Sequence, residues 1–588
     1  MNQLTSDSRL LDLQHHFRVG AGPGAGKTHW LVEHINNVLA RSNNLSKTRK
    51  IACITYTNIA VETISKRLNN SSDHVEVSTF HSFLYRNIVK PYIHNIAGEY
   101  GINVSGIDGH DNMKVSLGKA KKWIKNHPKR QKLRHPFSEN QLTQLPGNLY
   151  AIRNWLQSMK CQFTQSENDL EFTCDRSKAV SINESGRSQI NHETLEELES
   201  NFIDLKKVYW DKGVLHHDDI LFFSYKLVER FPYIIEVISS KFPYFFVDEF
   251  QDSNPIQVWI LKKIGTQGTV VGIIGDKVQS IFEFQGADPS QFYSFDLDDI
   301  KDYQIKINRR STKSIVECLN SIRSDIKQIA IRKKTGSKPL ILVGEDANVL
   351  NKVKKICKDE AVYSLTRKNI TANALKKSLS SSPFESGKFE MLRSRDGNRY
   401  RSGVVVSCIK AVELARNNKP KEAIKELKRF FENNKSKDHN RSVTIGKILI
   451  LLENYEKYCN TSLYDFYKVV RQEVKPNVAK LTNRGSIKSF YEDKTYKEFA
   501  VSVIIKDDKS FCKTVHNAKG DEFKNVLIVF EKESDLSIFI NNDLQNNEED
   551  RIKYVAISRA QDGLFISVPE LSVEMKGRLG DNFEFLYL

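Results

Sequence analysis

Short apolar runs alternate with helical patterns in two regions of this chain. Ile51-Ala52-Cys53-Ile54-Thr55-Tyr56 reads as a strand, Ala60 to Leu68 carries apolar positions at helical spacing, and Val75-Glu76-Val77-Ser78 is again β-like. Tyr244-Phe245-Phe246-Val247 and Val270-Val271-Gly272-Ile273-Ile274 show no polar alternation, so they predict strands covered on both faces. Strands alternating with helices of this length pack as a parallel sheet with crossover helices. The pattern returns at Pro339-Leu340-Ile341-Leu342-Val343, at 361–365 and at Val526-Leu527-Ile528-Val529-Phe530. Two long polar stretches of helical period interrupt it, 96–204 and 370–510. Within the second, Pro420 opens a predicted helix over Lys421 to Phe431, while Ser378 to Ser382 and Asn541 to Asn547 read as loops. The expected architecture is two α/β domains, 1–95 with 205–300 and 301–369 with 511–588, each interrupted by a mostly helical insertion.

Composition narrows the class. A chain of 588 residues exceeds one hydrophobic core, and no apolar run reaches the roughly 18 residues of a membrane span. The opening Met1-Asn2-Gln3-Leu4-Thr5-Ser6-Asp7 lacks the basic-then-apolar order of a secretory signal, which predicts a cytoplasmic protein with no membrane partner. A net charge of +17 points to a polyanion, nucleic acid first, or to a basic surface kept for solubility. The eight cysteines stand far apart with no Cys-x-x-Cys, so they read as reduced thiols and argue against a structural metal.

Chemistry enters at Ala21-Gly22-Pro23-Gly24-Ala25-Gly26-Lys27-Thr28, which fits a phosphate-binding loop with alanine in place of the opening glycine. Glycines let backbone amides turn onto phosphates, Lys27 neutralises their charge, and Thr28 offers a hydroxyl to Mg²⁺. The partner such a loop requires follows the strand 244–247 as Asp248-Glu249-Phe250-Gln251-Asp252. A strand-end Asp248 can hold Mg²⁺ through water, and Glu249 can orient or deprotonate the attacking water. ATP with Mg²⁺ is the expected ligand.

Further blocks fall in a fixed order: Thr55-Tyr56-Thr57-Asn58-Ile59-Ala60, Ser78-Thr79-Phe80-His81-Ser82-Phe83, Gly275-Asp276-Lys277-Val278-Gln279-Ser280-Ile281-Phe282-Glu283-Phe284-Gln285-Gly286-Ala287, Asn308-Arg309-Arg310-Ser311, Thr514-Val515-His516-Asn517-Ala518-Lys519-Gly520-Asp521-Glu522-Phe523 and Tyr554-Val555-Ala556-Ile557-Ser558-Arg559-Ala560. With the phosphate loop, this series resembles the UvrD/Rep/PcrA group of superfamily 1A DNA helicases over residues 20 to 566, leaving the two insertions unmatched. The resemblance implies two RecA-like P-loop motor domains with insertions (the 1A, 1B, 2A and 2B arrangement), ATP in the cleft between them, 3′ to 5′ movement on single-stranded DNA and unwinding of duplex. It implies that Gln279 senses the γ-phosphate, that Arg310 and Arg559 stabilise its transition-state charge, and that Gly520 and Glu522 contact the nucleotide, Glu522 at the ribose. It also implies that Tyr56, Thr57, Asn58, His81, Phe282, Phe284 and His516 lie at or near the DNA, the aromatic ones stacking bases. Core packing is the competing role for the aromatics.

Three positions depart from the family pattern. His29 stands where an arginine is usual and Arg309 where a tyrosine is usual, which removes the familiar adenine sandwich, and Gln285 replaces a motif III arginine. Lys119, Lys121, Lys122, Trp123, Lys125, Lys129, Arg130, Lys132 and Arg134 form a basic stretch that either touches duplex phosphates or is a solvated helical face. Lys419, Lys421, Lys425, Lys428 and Arg429 interleave with Glu422 and Glu426, as on a salt-bridged surface helix. A rival expectation is a DNA-stimulated ATPase that acts as a sensor or regulatory subunit without processive unwinding. A nuclease domain does not fit in the few residues after Arg559, so a nuclease, or a defence or repair protein, would be a separate chain.

Overall fold

Strands form where the apolar runs predict them. The computed structural model describes residues 2–68, 73–130, 133, 139–183, 186–358, 360–376, 388–417, 419–431, 437–482, 485–503 and 511–588. In it every residue of Ile51–Thr55, Tyr244–Val247 and Val270–Gly275 is buried. These strands form the middle of a seven-stranded sheet ordered Asn2–Leu4, Lys301–Ile305, Phe17–Ala21, Val270–Gly275, Tyr244–Val247, Ile51–Thr55, Val75–Thr79, and every ladder in it is parallel. A six-stranded sheet, also all parallel, runs Cys512–Thr514, Val362–Thr366, Phe523–Val529, Ala560–Val568, Leu340–Val343, Glu584–Tyr587.

Packing divides the chain into two compact units, one of Met1–Ser181, Ser188–Ser337 and Ile538–Ser558, the other of Ile182–Arg187, Lys338–Ser537 and Arg559–Leu588. The boundary expected at 300 is therefore displaced. Lys301–Ile305 pairs residue for residue with Phe17–Ala21, which carries the segment up to Ser337 into the first unit. Residues 538–558 join it through Arg551, whose guanidinium donates to the Ser280 and Leu544 carbonyls and pairs with Glu283.

The first insertion is not purely helical. Lys160–Phe163 and Leu170–Thr173 form an antiparallel hairpin among helices that include Leu117–Lys125, Pro146–Leu156 and Phe202–Trp210. It shares one apolar core with the sheet, running from Phe245 and Val271 to Trp155 and Trp210. The second insertion is helical in its described elements, from Arg399–Arg416 through Pro420–Lys428 to Tyr496–Ala500, around Tyr458, Tyr491 and Tyr496. Asn541 to Asn547 is loop, as predicted; Lys132, Arg134 and Ser378 to Ser382 lie outside the described residues. Among the described residues no helix is long and apolar enough to cross a membrane.

Candidate functional site

The strand Phe17–Ala21 runs into the loop 22–26, and the helix Lys27–Arg41 starts directly after it. Gly24 and Gly26 have φ of 68° and 84°, the left-handed region that costs glycine nothing. Space also fixes Gly24, because a Cβ there would lie 2.7 Å from the Arg310 Cβ and 2.8 Å from Asn308 Oδ1. The helix has no side-chain cap and no acid in its first turn. Its first N–H groups and the positive end of its dipole thus suit an anion.

Lys27 is buried at this helix start, with Nζ 3.8 Å from the Glu249 carboxylate and 3.4 Å from the Ala21 carbonyl. The Thr28 hydroxyl donates to Asp248 Oδ2 at 3.2 Å. Burial and the adjacent Glu249 carboxylate push the Asp248 pKa up, and Lys27 and the Thr28 hydrogen bond oppose them. A cation on this spot would relieve that penalty. Thr28 and Asp248 supply two neighbouring oxygen donors, a fit to Mg²⁺ completed by water and phosphate oxygens. Glu249 adopts a left-handed φ of 52° and accepts a hydrogen bond from the Gln251 amide. The other end of that amide accepts from Asp276 N at 3.0 Å, which connects the acidic pair to the next strand.

Behind these groups lies a buried polar cluster in which the motif residues Asp276, Gln279 and Tyr554 meet Arg323, which motif reading missed. Gln279 Nε2 donates to Asp276 Oδ2 at 2.6 Å. Arg323 grips both oxygens of the same carboxylate, at 2.9 and 3.1 Å, and also bonds Asp325 and the Tyr554 hydroxyl. The Arg323 and Asp276 side chains are each 1% exposed.

A second cluster holds the loop, formed by the motif residues Asn308, Arg309 and Arg310 together with Gln328, which motif reading missed. Asn308 Nδ2 and Gln328 Nε2 both donate to the Pro23 carbonyl, at 3.0 and 2.9 Å, and Arg309 N donates to Gly24 O at 2.9 Å. Arg310 lies against the loop with a guanidinium N–H on the Ser558 carbonyl at 2.9 Å. The two departures beside the loop converge on one acid: His29 Nε2 lies 3.2 Å from Asp7 Oδ1, and Arg309 pairs with Asp7 Oδ2. No sequence pattern pointed to Asp7, whose partners lie 22 and 302 positions away.

The residues expected at DNA divide. Tyr56 stacks on Phe282 with ring centroids 4.5 Å apart, and its hydroxyl donates to Gln285 Oε1 at 2.6 Å. The replacement of the family arginine thus ties down a tyrosine instead of presenting a cation. Phe282 is buried, whereas Phe284 beside it is 55% exposed. Thr57 caps the helix Asn58–Arg67 by accepting from Ala60 N, so it has a structural task, and Asn58 is exposed at the helix start. His81 packs against His217 and His110, and burial together with these rings pushes its pKa down to about 3. It is neutral at pH 7 and is no phosphate-binding cation. In the basic stretch, Trp123 is buried with its indole N–H on the Asn201 carbonyl, and Lys119 covers the Tyr209 ring at 3.8 Å. Lys122, Lys125 and Arg130 are exposed.

In the second unit, Arg559 is buried with a guanidinium N–H 3.4 Å from the Asp521 carbonyl. Gly520 turns at φ 87°, and the exposed Glu522 accepts from Gln561 at 3.2 Å. His516 opens a short 3₁₀ turn after the strand Cys512–Thr514.

A parallel sheet in which a glycine-rich loop, its lysine and a strand-end acidic pair meet defines a P-loop α/β protein. The chain belongs to the UvrD-like helicase family. Its residues 2–299 match the profile described as UvrD/REP helicase N-terminal domain, and 400–570 match the UvrD-like helicase C-terminal domain. Among curated relatives it is 24% identical over 347 residues to Gabija protein GajB of Bacillus cereus (strain HuB5-5), covering 53% of this chain and 47% of that one. It is 27% identical over 313 residues to ATP-dependent DNA helicase PcrA of Bacillus subtilis (strain 168), covering 51% and 36%. To PcrA of Staphylococcus aureus (strain Mu50 / ATCC 700699) it is 28% identical over 328 residues, covering 54% and 38%. The chain spans less than half the length of each of these relatives.

Proposed function

We propose that this chain is an ATP-driven translocase that moves 3′ to 5′ on single-stranded DNA and unwinds duplex. The observation that carries the reading is the constellation of Lys27, Thr28, Asp248 and Glu249 at the mouth of the glycine-rich loop, with Gln279 behind it. In this reading the amides of 24–28 cradle the phosphates and Lys27 neutralises their charge. Thr28 and Asp248 would hold Mg²⁺, which would supply positive charge against the phosphates. Glu249 aligns the attacking water, Gln279 senses the γ-phosphate, and Arg310 and Arg559 meet the charge that develops on it. Gly520 and Glu522 serve the ribose side of the nucleotide. The motor is two α/β domains, each with an insertion, and its working partner is a nuclease or a defence or repair protein supplied as a separate chain.

Strand displacement on 3′-tailed and 5′-tailed duplexes is the direct test. Displacement of the 3′-tailed substrate alone, dependent on ATP, is expected. ATPase stimulation by single strands with no displacement on either substrate would move the protein to the second reading, a DNA-stimulated sensor or regulatory ATPase. That reading draws on one observation, the diversion of Gln285 to the Tyr56 hydroxyl.

Phe284 is the most exposed ring of the Tyr56, Phe282, Phe284 group, at 55%, and in this reading it is the one that meets a base. Phe284→Ala should weaken binding of a labelled oligo-dT by about 1–3 kcal/mol in fluorescence anisotropy. ATP turnover without DNA should be unchanged. Equal loss of both would make Phe284 a packing residue.

A further inference from the structure

The second unit contains a cavity of about 550 Å³ where its helical insertion meets its sheet. The helix Asp346–Ile356 contributes Lys354, the end of Arg399–Arg416 contributes Arg416, and Tyr496–Ala500 contributes Lys497. Three cations from three separate helices thus line one concavity, with Lys376 a fourth on its wall. The only acid among the described lining residues is Glu413, which is buried and accepts a hydrogen bond from the Tyr496 hydroxyl at 2.8 Å. Arg416 sits over the Tyr455 ring, its guanidinium carbon 3.5 Å from the centroid, a contact that restrains its N–H fork.

Lys354 and Lys497 differ from the lysines of this unit that stand in ion pairs. In the same unit Lys368 pairs with Glu531, Lys388 with Glu498, Lys468 with Asp465, Lys488 with Glu492, Lys513 with Asp521 and Lys524 with Glu360. Lys354 and Lys497 have no carboxylate partner among the described residues. Like charges gathered around a concave surface repel one another and focus a positive potential inside it.

We propose that this cavity binds a small phosphorylated anion of nucleotide size, at a site separate from the glycine-rich loop. The volume falls within the usual range of small-ligand pockets. Lys354, Lys497 and Arg416 take the phosphate oxygens by charge-assisted hydrogen bonds, and the exposed Phe511 ring on the rim offers a face to a base. The occupant bridges the insertion helices and the sheet helices of this unit and so holds them in one arrangement.

Isothermal titration of the full chain with inorganic pyrophosphate, and separately with ADP, tests the proposal. Two sites per chain are expected. Lys354→Glu with Lys497→Glu should weaken one of them about 10- to 100-fold, the loss expected for charge-assisted contacts, while Lys354→Arg with Lys497→Arg retains it. Lys27→Ala should affect only the other. ADP should bind the cavity more tightly than pyrophosphate if Phe511 receives the base, and Phe511→Ala should remove that difference alone. A single site untouched by the Lys354/Lys497 charge reversal overturns the proposal. So does weakening by the charge-reversed and the arginine variants alike, which would mark a structural effect. A short 5′-phosphorylated oligonucleotide that binds the cavity more tightly than ADP also overturns it, because the site would then belong to nucleic-acid ends. Should Lys27→Ala leave both sites intact, the glycine-loop reading fails and the cavity stands on its own result.

Discussion

Lys27→Ala should lower single-strand-stimulated ATP turnover about 100- to 1,000-fold, the scale on which one fixed electrostatic stabiliser of a developing oxyanion contributes. The ammonium lies within 3.8 Å of Glu249 and is buried, so water replaces it poorly. Its charge is missing wherever the phosphate negative charge moves during transfer. Phosphate release at saturating DNA measures the effect, with Glu249→Gln as comparator. Glu249→Gln should lose turnover while still binding ATP, because it alters the water's partner and leaves the phosphate cradle in place. Turnover close to the parent's in the Lys27 variant would remove the glycine-rich loop from the reaction.

A large stability effect is expected at Arg323. Arg323→Met strips both oxygens of Asp276 of their guanidinium partner in a site where each side chain is 1% exposed. A buried charge left without its partner costs about 3–5 kcal/mol. All five tryptophans, Trp30, Trp123, Trp155, Trp210 and Trp259, lie in the first unit, so their fluorescence in urea reports that unit alone. The midpoint should fall clearly for Arg323→Met and recover in part when Asp276→Leu is added, since the fully buried charge is then gone and only Asp325, 26% exposed, has lost its partner. An unchanged midpoint in the single variant would show that Asp276 finds another partner.

Central strands were legible because burial on both faces leaves a sequence trace: Tyr244–Val247 and Val270–Gly275 carry no alternation and are buried throughout. The outermost strand and the one beside it leave none. Asn2–Leu4 and Lys301–Ile305 are polar and partly exposed, so nothing in their composition separates them from loop, and with them the extent of the first unit was lost. Lys160–Phe163 is too short to reveal a period of two within a helical stretch. At the candidate site, the loop lysine and the acidic pair were readable because each must follow a particular strand. The Asp276–Arg323 pair, the grip of Asn308 and Gln328 on Pro23, and the convergence of His29 and Arg309 on Asp7 join distant positions with no local pattern. Trp123 misled for a related reason: its basic neighbours suggested nucleic acid, whereas the ring is core.

The clasp formed by Arg551 and Tyr554 bears on the order in which the protein is made. Arg551 reaches the Ser280 carbonyl across 271 positions, and Arg323 reaches the Tyr554 hydroxyl across 231. As the chain leaves a ribosome, the seven-stranded sheet can assemble once residue 305 has emerged, yet the seats for Arg551 and Tyr554 stay empty until the segment 538–558 follows. The second sheet and its insertion are threaded between those two moments. Completion of the first unit is therefore a late, non-local step in the making of the chain.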